Sequence, residues 1–354
     1  MLRHTGFLIV TSTSLPDELS HSLTSSASAG RTKKHCEGAD LCEKVVYSEK
    51  EKRAGEPKED GGVFMFDQKN SSTGCEFYFE QDKVRLHMKL DLPEGLRLNN
   101  SPDDAAGGRP FLPEVMAEGD GALLPCPLVI VQHGFTGHME EDHIIAVSKA
   151  LNETGFATLR TELYGHGKSD GNFEDHTLYK WLTEMLDIID YVRGFEFVRD
   201  LFLCGHSQGG LCVMLAGAMK RDVVRGLIPL SPAVMIPDDA RKGVMLGHSF
   251  DPDRIPDVLT LEDGLKLGGN HARVSQTIYV EPAIDAFSKE VLIIHGMEDE
   301  CVPFVCAREA AQRYRNATLI AIPGDDHCYN HHLDQVTDAL KKYMQQFVPE
   351  KRTD

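Results

Sequence analysis

From residue 127 onward, short apolar runs alternate with longer stretches in which apolar positions recur every three or four residues. Residues 127–132, 156–160, 200–204, 226–230, 291–294 and 318–322 are strand-sized runs, several of them flanked by Gly, Pro, Asn or Asp. Between and after them, residues 140–152, 179–192, 209–219, 308–314 and 334–347 are assigned to helices, whose 3.6-residue turn puts one apolar stripe against a sheet. Strand and helix in alternation predict a parallel sheet, because a parallel neighbour is reached only by a crossover that covers a sheet face. The expected fold class is therefore α/β, a mostly parallel central sheet with helices on both faces.

Elsewhere the rhythm breaks. Ordered structure is expected to start near residues 76–79, and residues 84–90 alternate as a half-buried strand does. Residues 99–124, rich in Pro, Gly, Asp and Asn, read as a long surface loop, and residues 1–72, polar and aperiodic, as a largely disordered extension to an ordered domain over 73–354. Residues 232–289 hold several prolines and glycines and no long periodic element. A stretch that long inside a compact domain points to function. Placed after a strand of an open α/β sheet, it would stand over the carboxyl ends of the strands as a lid.

Composition narrows the function. The 354 residues carry a formal net charge of −18, and no basic cluster exists that could displace counterions from a nucleic acid. No apolar run approaches the roughly 18 residues of a membrane span, and residues 6–10 are too short for a secretory apolar core. The nine cysteines form no CxxC pair and suit reduced thiols, which with the missing signal points to the cytoplasm. The histidines and acids form no zinc motif, so no metal and no cofactor are expected. Gly167-Lys168-Ser169 suggests a P-loop, but that pattern needs glycine at position 162, which is Glu162.

The chemistry lies in Gly205-His206-Ser207-Gln208-Gly209, which follows an expected strand and opens an expected helix. A sharp strand-to-helix turn lifts the serine hydroxyl clear of the backbone and aims helix N–H groups at developing negative charge. Serine needs a base, and the base an orienting acid, in the chain order Ser, acid, His. The loop after 291–294 offers Glu298, Asp299 and Glu300, of which the distance from the strand end favours Asp299. The loop after 318–322 offers His327, with His331 and His332 behind it. The glycine-bearing run His133 to His138 supplies an oxyanion donor from the Phe135 backbone N–H, the second coming from Gln208.

At these residues the chain resembles the bacterial cinnamoyl (feruloyl) esterases of the α/β-hydrolase superfamily. The elbow is common to the superfamily. More specific are His133 to His138, Tyr164 to Gly171, His176 to Trp181, Leu230 to Ala233, Arg273 to Thr277 and Ile322 to Tyr329. The resemblance covers the chain from about Phe77 onward, apart from 99–124. The family pattern at His295 to Pro303 also selects Asp299, with one residue fewer before Val302. The resemblance implies an α/β-hydrolase fold, a serine carboxylesterase with a Ser207, His327 and Asp299 triad, and a small-molecule hydroxycinnamate ester as substrate. It further implies that lid residue Asp239 contacts ring hydroxyls of the acyl group. His271 stands where some members use a lid tyrosine, and Glu262 where others use a tryptophan. Two other readings remain open. The same triad serves monoacylglycerol or short-chain acyl esterases, and a hydrolase fold can carry a binding protein without catalysis.

Overall fold

The computed structural model describes residues 8–11, 73–104, 110–119, 121–122, 125–261 and 264–348. Apart from residues 8–11, the extension read over 1–72 lies outside them, as does Glu262. Strands β1 (Leu8–Thr11), β2 (Gly74–Gln81), β3 (Val84–Asp91), β4 (Leu96–Leu98), β5 (Val115–Ala117) and β6 (Cys126–Gln132) precede helix α1 (Asp142–Thr154). Then come β7 (Ala157–Thr161), α2 (Leu178–Val192), β8 (Val198–His206), α3 (Gln208–Met219) and β9 (Val224–Leu230). A stretch of short elements follows: α4 (Ile236–Arg241), the hairpins β10 (Val244–Met245) with β11 (His248–Ser249) and β12 (Val258–Thr260) with β13 (Lys266–Gly268), α5 (Gly269–Gln276) and α6 (Glu281–Ala286). The chain closes with β14 (Glu290–Gly296), α7 (Phe304–Arg313), β15 (Ala317–Ile322) and α8 (Leu333–Met344).

Nine strands form one sheet in the order β1-β15-β14-β9-β8-β6-β7-β3-β2. The six from β15 to β7 run parallel, while β2, β3 and β1 join antiparallel at the edges. Side chains on one strand alternate between two cores, as the strand's period of two requires. On β6, Leu128 and Ile130 face the core formed with α2, α3 and α7, while Val129 and Val131 face the core formed with α1 and α8. Helix α3 is buried almost all round, which is why its apolar residues show no single stripe.

Two segments differ from the pattern-based expectation. Residues 99–124 are not loop throughout: β5 pairs with β4, and Phe111 and Val115 are buried. Too few apolar residues stand there for a period to show, and tertiary contact decides. Within residues 1–72, Leu8–Thr11 pairs antiparallel with β15, Ile9 opposite Ile320. A four-residue strand is below what periodicity detects.

Parallel strands end on the same side, and their ends are laced together. The Ser207 amide donates to Leu230 O, Ser231 to Ile294 O and Met297 to Ile322 O, each at 2.9 Å. This brings the loops after β8, β9, β14 and β15 to one rim, the position at which open α/β sheets place their ligands.

Helix α2 supports the adjoining rim. Thr177 caps it, its hydroxyl accepting from Lys180 N. Its buried Glu184 accepts a hydrogen bond from Tyr164 N at 3.0 Å. Burial pushes the Glu184 carboxyl from its ordinary 4.5 up to about 7, against the pull of the Tyr164 N–H and Lys180 and with a push from Asp187. The folded carboxyl therefore keeps a proton that the unfolded chain has released, so its stabilising contribution is full below about pH 4.5 and is lost as the pH rises toward 7. Glu184→Gln keeps the acceptor and removes the titration. Urea midpoints at about pH 5 and about pH 8 are expected to fall between the two in wild type and to differ less in Glu184→Gln.

Candidate active site

Ser207 sits between β8 and α3 with φ 55° and ψ −120°, a backbone region that costs a non-glycine residue roughly 1–3 kcal/mol. The glycines around it are required by close approach rather than by their own dihedrals. A Cβ on Gly205 would lie 2.4 Å from Gly209 O, and one on Gly209 would lie 2.2 Å from His133 O. The turn is therefore tight, and it is pressed against the loop after β6. Gly134 on that loop lies so close that a Cβ there would be 3.2 Å from both His206 Nδ1 and Ser207 Cβ.

His327, in the loop after β15, bridges to the other two residues. Its Nε2 lies 2.9 Å from Ser207 Oγ, and its Nδ1 lies 2.7 Å from Asp299 Oδ2. Asp299 is the buried acid of its loop, whereas Glu298 and Glu300 face solvent. Its Oδ1 accepts the amides of Val302 at 2.7 Å and Cys301 at 2.9 Å. Burial alone would raise the Asp299 pKa, but hydrogen bonds from His295 and His327 and from the Val302 amide outweigh it and hold the carboxyl well below its usual range. Asp299 is thus a fixed anion at the end of the His327 ring.

Three histidines to which sequence reading gave no role frame this line. Buried His206 is held neutral by burial and donates from Nε2 to the His327 carbonyl at 2.8 Å, tying the histidine loop to the elbow. His295 Nε2 lies 2.9 Å from Val302 O and 3.1 Å from Asp299 Oδ2, so one N–H steadies both ends of the acid loop. His166 faces the Phe135 and Tyr164 carbonyls with its two ring nitrogens and fixes the loop after β6. In sequence these were histidines among sixteen, and only their place at strand ends or in the Gly165-His166-Gly167 block marked them.

No hydrogen bond between described residues takes up the backbone amide of Phe135 or of Gln208. Both belong to segments pressed against Ser207. His271, on α5, is fully buried with its ring 5.7 Å from Phe135 and 4.9 Å from His176, and burial lowers its pKa to about 4. Asp239, on α4, is half-buried, and burial raises its pKa, Lys242 opposing. The segment leading from β9 into α4 is tied to the elbow by the Ala233 amide, which donates to Ser207 O at 3.0 Å. His331 is exposed and lies 3.7 Å from Asp326, away from Asp299 in hydrogen bonding.

The arrangement is that of a nucleophilic hydrolase: a hydroxyl on a base, the base on a buried anion, and two free amides beside the hydroxyl. The family model described as serine aminopeptidase S33 matches residues 125–267. A solved structure of Est1E from Butyrivibrio proteoclasticus with ferulic acid bound is 50% identical, covering 76% of this chain and 98% of that one, with a TM-score of 0.67. Among curated proteins, human mitochondrial palmitoyl-protein thioesterase ABHD10 is 27% identical over 199 residues, 53% of this chain and 61% of that enzyme. The bifunctional esterase/perhydrolase DCH of Acinetobacter calcoaceticus is 23% identical over 242 residues, 57% of this chain and 85% of that enzyme. The fold is that of the α/β-hydrolases. The chain belongs to the cinnamoyl (feruloyl) esterase family of that superfamily, a family of carboxylic ester hydrolases.

The glycine contacts give a direct test of this geometry. Gly209→Ala forces α3 away from the His133 carbonyl, and misplacement of about 1 Å at a reacting centre can cost roughly 10²-fold. Covalent labelling of Ser207 by a fluorophosphonate is expected to slow by about that factor, measured as a second-order rate against wild type.

Proposed function

We propose that this chain is a serine carboxylesterase acting on hydroxycinnamate esters of the feruloyl or cinnamoyl type. The observation that carries the chemistry is the His327 ring, within hydrogen-bond distance of Ser207 Oγ on one side and Asp299 Oδ2 on the other. Ser207 Oγ attacks the ester carbonyl while His327 Nε2 takes its proton. The Phe135 and Gln208 amides receive the negative charge that forms on the carbonyl oxygen. His327 returns the proton to the departing alcohol, leaving an acyl-Ser207 ester. Water, deprotonated by the same nitrogen, attacks that ester and releases the acid. Asp299 stays ionised throughout and stabilises the imidazolium.

The acyl preference is supported by the likeness to Est1E, whose structure holds ferulic acid. In this reading residues 232–289 are the lid over the acyl group. Asp239 supplies a polar contact to ring hydroxyls, and His271 closes the pocket beside Phe135. A second reading, a fatty or short-chain acyl ester or thioester, is favoured by the likeness to ABHD10. The two separate on substrate choice alone.

Ser207→Ala is expected to abolish ferulate release from methyl ferulate, by about 10⁶-fold in kcat, and Asp299→Asn to cost about 10⁴-fold. Undiminished turnover in Ser207→Ala overturns the assignment. In a panel of methyl ferulate, methyl caffeate and alkyl acyl esters, Asp239→Ala is expected to lower kcat/KM for the hydroxylated aryl esters by about tenfold. The alkyl esters are expected to be unaffected. A wild type that prefers long alkyl acyl groups, and is indifferent to Asp239→Ala, favours the second reading.

A further inference from the structure

The loop that carries Asp299 places a thiol beside the His327 and Asp299 pair. Cys301 is exposed, and its Sγ, one ring nitrogen of His327 and one carboxylate oxygen of Asp299 all lie within 4.8 Å of one another. The Cys301 amide donates to Asp299 Oδ1 at 2.9 Å, so the backbone that carries the thiol is tied to the carboxylate. Metal-binding patterns in sequence miss this set because its donors come from two loops, after β14 and after β15.

We propose that Asp299, Cys301 and His327 form an inhibitory site for a zinc ion, which shuts the enzyme off by taking its general base out of the triad. Thiolate, imidazole and carboxylate are the three donor types that zinc accepts, at about 2.3, 2.0–2.1 and 2.0–2.2 Å. A tetrahedral ion with those bond lengths holds its donors about 3.3–3.6 Å apart. The set therefore has to close by little more than about 1 Å, which a turn of an exposed cysteine side chain can supply. The fourth position stays with water.

The access is also suitable. The Asp299 side chain is fully buried and that of His327 is 16% exposed, so the ion arrives from the Cys301 side. On binding, the thiol proton leaves to solvent and the sulfur bonds the metal. Inhibition does not depend on which nitrogen is taken. At Nδ1 the metal replaces the hydrogen bond to Asp299 and the ring proton moves to Nε2, while at Nε2, which carries no proton in the resting triad, it replaces the hydrogen bond to Ser207. Either loss removes proton transfer from the serine. Magnesium and calcium prefer all-oxygen sites and do not compete for a sulfur and nitrogen pair.

The inhibition arm rests on the serine esterase reading, while binding can be measured without it. In Ser207→Ala, calorimetric titration with zinc chloride is expected to show a site of micromolar or tighter affinity that the double variant Ser207→Ala/Cys301→Ser lacks. In wild type, after treatment with a chelator, zinc is expected to inhibit ester hydrolysis at micromolar concentration, with rate restored by chelator. Cys301→Ser, scored against its own metal-free rate, is expected to need at least tenfold more zinc. About 1 mM magnesium or calcium is expected to leave both rates unchanged. The same zinc binding with and without Cys301, equal zinc sensitivity in Cys301→Ser, or no inhibition at about 100 μM zinc overturns the proposal. A wild type that hydrolyses no ester in metal-free buffer counts against the esterase reading, and the calorimetry still decides this one.

Discussion

The whole site depends on backbone approaches closer than any side chain permits. Gly205 and Gly209 let the turn at Ser207 close on itself, and Gly209 also lets the first turn of α3 meet the His133 carbonyl. Gly296 does the same between the acid and histidine loops, where a Cβ would lie 2.5 Å from the carbonyls of both Asp325 and Asp326. Four loops can then meet at one point while their strands stay at normal sheet spacing. The strain of Ser207 is sustained by this packing, since its own amide is held by Leu230 and its carbonyl by Ala233 and Leu211.

On that scaffold the charges are arranged with little freedom. The neighbourhood of Ser207 is dense in histidine, and burial drives His133, His143, His176 and His206 below their ordinary pKa. They pack as neutral rings, of which His133, His176 and His206 each donate one hydrogen bond to a backbone carbonyl, so they order the loops without adding positive charge. Asp299 differs because two backbone amides and two imidazoles converge on its carboxylate, which offsets the loss of water. One fixed anion facing one partly exposed imidazole is the asymmetry that the proposed general base needs.

Substrate choice is a separate problem, which the proposed function assigns to residues 232–289. Likeness to Est1E spans 76% of this chain at 50% identity, whereas likeness to ABHD10 spans 53% at 27%, and a shared fold alone does not fix the substrate. The short elements between β9 and β14 bury Ile236, Met245, Leu259 and Leu267 in the core shared with α2 and α3, and long polar side chains tie them to one another. Arg241 donates to the Gln276 and Ile278 carbonyls, and Gln276 to those of Ala240 and Pro252.

The chain pattern by itself determined the parallel sheet and its helices, because burial on two faces leaves a periodic record. It also marked Ser207 as the candidate nucleophile, because a strand-to-helix turn of this kind tolerates few residues besides glycine around a serine. The candidate acid and histidine were sought in the loops after two late strands, because the chain order of such a site is serine, acid, histidine. Tertiary structure decided what has no period and no fixed spacing. It buried Asp299 and left Glu298 and Glu300 in water, paired β5 with β4 across a glycine-rich stretch, and gave β15 an antiparallel neighbour in β1. It also gave His166, His206 and His295 their partners, which lie 31, 121 and 7 residues away along the chain. Local sequence records which face of an element is buried. Which two distant groups end within 3 Å of each other is set only when the layers close.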